Sequence, residues 1–168
     1  MDQNTVALII ATAAILVSLV TFFWANQQRK KAATESSSFN TKPLQLQAYE
    51  RLVMLTERIA LPNLVSRANQ PGMNAKETQL LLLESIKQEY EYNATQQIYV
   101  SPVAWEAVRN LKEQNMLIIN QVASTLPDGA TGMELNKRLL EFVMSQKKGA
   151  LHSIVLEALN YEAKKLMK

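Results

Sequence analysis

His152 is the one histidine in the 168-residue chain, so it is the first residue to test for proton transfer or metal binding. Neither H-E-x-x-H, which would set two zinc ligands on one helical face, nor the E-x-x-H of a di-iron bundle occurs. A lone helical histidine is more often a surface or packed residue than a ligand. Cysteine is absent, which removes thiol catalysis, disulfides, iron–sulfur clusters and thiolate-bound zinc. Gly129 and Gly132, in Pro127-Asp128-Gly129-Ala130-Thr131-Gly132, form the only close glycine pair. They lack the Lys, the Ser/Thr and the preceding strand of a phosphate-binding loop. Glu89 and Glu91 are two apart on an expected helix, so they point in different directions and read as solvated surface. Asn93-Ala94-Thr95 matches a glycosylation sequon but falls inside the same expected helix. The residue types therefore point to no enzyme, no cofactor, no metal and no small-molecule substrate.

Aromatic residues offer a different chemistry, that of contact. Tyr90, Tyr92, Tyr99 and Trp105 cluster in one third of the chain, with Tyr49 upstream. Tyr90 lies on an apolar stripe and is expected in the core. Tyr49, Tyr92 and Tyr99 are the candidate partner surface, because tyrosine is a favoured anchor of protein contacts, and core packing with a wet hydroxyl is the competing and favoured reading of the group.

The first element that would position such a surface is an apolar run. Val6 to Trp24 contains no charged residue, and Arg29, Lys30 and Lys31 follow at once. As a helix this run would be roughly 28 Å long, close to the hydrocarbon thickness of a bilayer. No basic residue precedes it and no small-residue cleavage site follows, so an uncleaved single-pass anchor is expected rather than a signal peptide. Trp24, Arg29, Lys30 and Lys31 would meet the headgroups. The basic triplet would place the N-terminus outside and the C-terminal domain in the cytoplasm. Ala7, Ala11, Ala14, Ser18, Thr21 and Ala25 form a heptad seam of small residues along this helix. Small residues let helix backbones approach closely in lipid, so the seam is a candidate helix–helix contact.

Charge narrows the partners further. The net charge is +3. Three of the 18 Lys and Arg stand in the triplet, and Asp2 is the only acidic residue before it. The rest of the chain then balances fifteen basic against fourteen acidic residues, which provides no basic face for nucleic acid.

Segments 1–5, 6–25, 26–43 and 44–168 are expected as flank, transmembrane helix, polar linker and helical domain. In the last, Pro43 opens a helix that stops before Pro62, with a short turn of helix over 63–68. Asn74 and Glu77 form a capping box that starts a helix running to Tyr99. Ser101-Pro102 opens a third, reaching Leu126, with Asn115 inside its apolar stripe. Thr131 and Glu134 cap a fourth, to about Lys148, and a last helix from about Ala150 carries Leu151, Ile154, Val155, Ala158, Leu159 and Leu166. No strand pattern competes. The fold class is all-α: one transmembrane helix, then a four- to five-helix antiparallel bundle.

Leu46-Gln47-Ala48-Tyr49-Glu50-Arg51-Leu52 with Glu57-Arg58-Ile59, and Gln96-Gln97-Ile98-Tyr99-Val100-Ser101 through Trp105, carry a resemblance. They resemble an uncharacterised family of Bacteroidota proteins that pair one membrane helix with a small cytoplasmic helical domain. The resemblance implies a bacterial inner membrane and brings no assigned activity. The expected function is a membrane-anchored, non-catalytic protein–protein interaction module that self-associates or binds a protein partner. The alternative is an accessory subunit of a larger inner-membrane enzyme, transporter or envelope complex.

Overall fold

The structure, a computed structural model, describes residues 18, 20–27, 40–145 and 151–168. The chain divides into two compact units, Met1–Thr41 and Lys42–Lys168. In the first unit, residues 20–27 are helical, and Val20, Phe22, Phe23 and Trp24 are exposed. Most of the expected span over 6–25 lies outside the described residues. Among the described residues no helix is long and apolar enough to cross a membrane.

The second unit is all-helical. Helices α1 (Lys42–Ile59), α2 (Leu61–Ala68), α3 (Ala75–Tyr92), α4 (Pro102–Ser124), α5 (Gly132–Ser145) and α6 (Leu151–Leu166) enclose one core, with a 3-10 helix at Ala94–Ile98. This corrects the expected four to five helices to six among the described residues. The expected short turn at 63–68 is a full helix, α2, separated from α1 by a sharp elbow. Ala60 is extended there (φ −56°, ψ 128°), and Pro62 has no N–H to continue the α1 ladder.

The elbow frees the last carbonyls of α1, and side chains take them up. Asn63 Nδ2 donates to Glu57 O at 2.9 Å, and Arg67 Nη2 to Arg58 O at 2.7 Å. Asn115 Nδ2 donates to Ile59 O at 2.7 Å. Helix ends buried without partners are costly, so these three donors stabilise the bend. Asn115 is buried inside its apolar stripe, and this bond answers its need for a partner.

The helix starts follow the capping signals. Asn74 Oδ1 accepts from Glu77 N at 2.9 Å, and Glu77 Oε2 accepts from Asn74 N at 3.0 Å. Thr131 and Glu134 make the same reciprocal pair at 3.3 and 2.7 Å. The Thr131 N–H and hydroxyl bonds hold the Glu134 carboxyl below its ordinary pKa. Ser101 Oγ accepts from Ala104 N at 3.0 Å above Pro102. The two capping turns also pair with each other, in an isolated antiparallel bridge between Asn74 and Thr131. Ala75 N donates to Ala130 O at 2.8 Å and Gly132 N to Met73 O at 2.9 Å. Helices α3 and α5 therefore start at the same end, and α4 runs between them in the opposite direction.

The helix expected to reach Tyr99 ends at Tyr92 instead. Asn93 Nδ2 donates to Glu89 O at 2.8 Å, taking the carbonyl its own N–H would have used. The N–H turns to Tyr90 O at 3.1 Å, and the backbone tightens into the 3-10 helix. Asn93 is buried, with its amide donating to Glu89 O, so the sequon asparagine is covered.

The core comprises Leu52, Leu55 and Ile59 of α1, Leu82 and Ile86 of α3, Val108, Leu111 and Ile119 of α4, Leu135 and Leu139 of α5, and Leu159 of α6. Helix α6 lies along α1 and α4, while α3 packs against α1, α2, α4 and α5. Of the apolar residues that the last helix carries, Leu151, Ile154 and Ala158 are exposed. Helix α6 buries only Val155 and Leu159.

Candidate functional site

The elbow between α1 and α2 does more than redirect the chain. It leaves a cleft of about 580 Å³ bordered by the end of α1, the start of α2, the middle of α4, the end of α5 and the first turn of α6. Leu61, Leu111 and Ile118 are buried in its floor, and Phe142 and Val143 form one half-buried wall. Leu151 and Ile154 edge it, 36 and 55% exposed, although both are apolar. This is the size of a pocket that takes a small ligand or a few side chains of a partner.

Polar groups gather at one edge. Glu57 Oε2 accepts from Asn63 Nδ2 at 3.2 Å and lies 3.3 Å from His152 Nε2. Gln114 adds an amide to the lining. Helix α1 positions Glu57 one turn before its end, the elbow brings Asn63 back over it, and α6 supplies His152 in its first turn. The pair is partly exposed, so as an ion pair it contributes at most about 1 kcal/mol. As chemistry it can accept or donate hydrogen bonds and hold a proton. No Ser, Thr, Tyr, Lys or Cys lines the cleft among the described residues. No cluster of three metal-binding side chains occurs among the described residues either. The arrangement is suited to binding.

The candidate partner tyrosines separate. Tyr49 is a correction: it is buried, and its hydroxyl donates to Glu162 and accepts from Ser101 N at 3.2 Å. It fell inside because it follows Ala48 on the core-facing side of α1. Tyr92 and Tyr99 are exposed, on either side of the 3-10 helix. Tyr90 packs its ring 5.1 Å from that of Trp105, with Lys112 Nζ 4.5 Å over it, as a half-buried core edge. Burial raises the Tyr90 pKa, against the lowering effect of Lys112.

Of the small-residue seam, Ala7, Ala11 and Ala14 lie outside the described residues, as do Arg29, Lys30 and Lys31 of the headgroup set. Ser18, Thr21 and Ala25 are helical and exposed, with Thr21 Oγ1 donating to Ser18 O at 3.0 Å, and Trp24 is exposed beside them. Glu57 and Asn63 were not singled out from sequence. The signal that could have found them is Pro62, since a proline inside an apolar pattern frees carbonyls that nearby side chains must satisfy.

Residues 3–166 match a family model described as a family of unknown function, DUF7935. The chain belongs to that family. The match covers both the apolar N-terminal run and the helical unit, so the two belong to one DUF7935 pattern. Comparison with curated proteins and with solved structures finds no match.

Proposed function

We propose that this DUF7935 protein is a non-catalytic helical interaction module. Residues 6–25 tether it to the inner membrane, with the N-terminus outside and the helical unit in the cytoplasm. The observation that carries the interaction is the elbow cleft, whose buried apolar floor continues into the uncovered side chains of Leu151 and Ile154. An apolar segment of a protein partner fits it, because covering that edge removes apolar surface from water while Asn63, Gln114 and His152 hydrogen-bond at the rim. Support for the tether is the charge-free run from Val6 to Trp24, the basic triplet after it, and the exposure of Phe22, Phe23 and Trp24.

Purification of the full chain from native membranes in mild detergent tests this reading. It predicts recovery with a stoichiometric protein partner. A second copy would mean self-association, and a foreign chain would mean an accessory subunit of a larger complex. Recovery as a lone monomer, under conditions that keep other membrane complexes intact, would overturn it.

A further inference from the structure

Away from the elbow cleft, two cations converge on one carboxylate. Arg58 Nη1 lies 3.0 Å from Glu89 Oε1 and 3.3 Å from Oε2, and Arg67 Nη1 lies 3.3 Å from Oε1. Arg67 Nη2 is fixed on Arg58 O, so the second guanidinium is held in place by the bend of the chain itself. Glu89 is nearly covered, its side chain 16% exposed, whereas the two guanidinium side chains are 49 and 46% exposed. One carboxylate cancels one of these charges. It also cannot saturate two guanidinium groups, each of which carries five N–H donors.

The surplus charge faces a pocket of about 470 Å³ between the elbow and α3. Gln70, Ser85, Gln88 and Tyr92 complete its polar lining, and Glu89 is the only acidic side chain that lines it among the described residues. Exposed ion pairs contribute little to stability, so neutralising Glu89 does not account for a second arginine. Planar guanidinium forks match the oxygens of a phosphate and bind it in bidentate fashion.

We propose that this pocket binds a phosphate-type oxyanion, held by Arg58 and Arg67, with Gln88, whose Nε2 also donates to Glu84 Oε1 at 3.3 Å, offering its second N–H from α3. The exposed Tyr92 ring packs against the organic group that carries the phosphate. A soluble phosphate monoester and the headgroup of an anionic lipid share this chemistry. The site stands on the helical unit alone and does not depend on the elbow cleft or its partner.

Arginine modification by phenylglyoxal, read by peptide mass spectrometry on the full chain, tests it residue by residue. Arg109 and Arg138, exposed and outside the pocket, are internal references. One arm adds phenyl phosphate to the chain in detergent. The other compares nanodiscs of phosphatidylcholine with and without phosphatidic acid. For a Kd of about 0.1 mM, ~1 mM phenyl phosphate should slow modification of Arg58 and Arg67 about tenfold and leave the references unchanged. Protection by phenyl phosphate identifies a soluble ester as the source, and protection by phosphatidic acid alone identifies a headgroup. Gln88→Glu, an exposed change that returns the lining to neutrality, should reduce the protection to less than about twofold. Absence of protection in both arms, equal slowing of the references, or protection undiminished in Gln88→Glu would overturn the proposal.

Discussion

Tyr49 shows how one side chain can join three parts of the domain. Its hydroxyl donates to Glu162 of α6 and accepts the N–H of Ser101, the residue that caps α4, while its ring is buried on α1. Burial first, and the bond to Glu162 second, raise its pKa above the ordinary tyrosine value. Tyr49→Phe should therefore destabilise residues 42–168 by about 1–3 kcal/mol in urea unfolding followed by circular dichroism, because it strands a backbone donor at Ser101. The pH dependence has a definite sign. The unfolded chain loses the tyrosine proton near pH 10, before the folded one does, so Tyr49 contributes fully below about pH 10 and its contribution falls as pH rises further. Tyr49→Phe should lose less stability than the parent between neutral pH and about pH 11. An equal loss in both would assign the alkaline sensitivity elsewhere, with Tyr90, also raised by burial, the next group to replace.

Among the elements, the paired turns before α3 and α5 set the packing at one end of the domain. Gly132 has no room for a side chain: a Cβ there would sit 2.1 Å from Thr78 Oγ1, 3.2 Å from Thr78 Cβ and 3.0 Å from Met73 O. Thr78 is buried and β-branched, so it cannot easily swing away, and Met73 O is already bonded to Gly132 N. Gly132→Ala should cost about 1–2 kcal/mol in the same unfolding assay, outweighing the usual gain from alanine in a helix. Both capping boxes and the starts marked by Pro43 and Pro102 were legible in sequence, because those signals act within four residues, whereas Pro62 was legible as a stop and not as the start of α2. That the two turns pair with each other was not, since nothing local ties Asn74 to Thr131. The end of α3 was also hidden. It depends on Asn93 outcompeting its own backbone for the Glu89 carbonyl, a contest that asparagine inside a helical pattern does not announce. Within the span expected to be one helix to Tyr99, Leu82 is buried and Ile98 is exposed.

For the whole molecule, the sequence made the all-helical class plain and the site obscure. Glu57, Asn63, Gln114, Val143 and His152 come from five separate stretches and meet only because α1 breaks at Pro62. Arg58, Arg67 and Glu89 meet across the same break, so no periodicity links them. Leu151 and Ile154 have core spacing, yet the first turn of α6 runs past the edge of the core and leaves them on the cleft. The N-terminal run poses a separate question, answered by comparing two double replacements in cross-linked native membranes. Ala11→Leu with Ala14→Leu adds bulk on the seam and should weaken helix association markedly. Thr12→Leu with Ala13→Leu adds similar volume on other faces and should leave association intact. Equal behaviour of the two would make residues 6–25 a plain tether. The central claim, that the elbow cleft receives a protein partner, is tested most directly by placing a photo-cross-linking residue at position 154 of the full chain in native membranes, with position 76 as an exposed control outside the cleft. The account predicts one discrete adduct from position 154, little from 76, and loss of the adduct when Leu151 is replaced by Glu. No adduct from 154, or the same adducts from both positions, would contradict it.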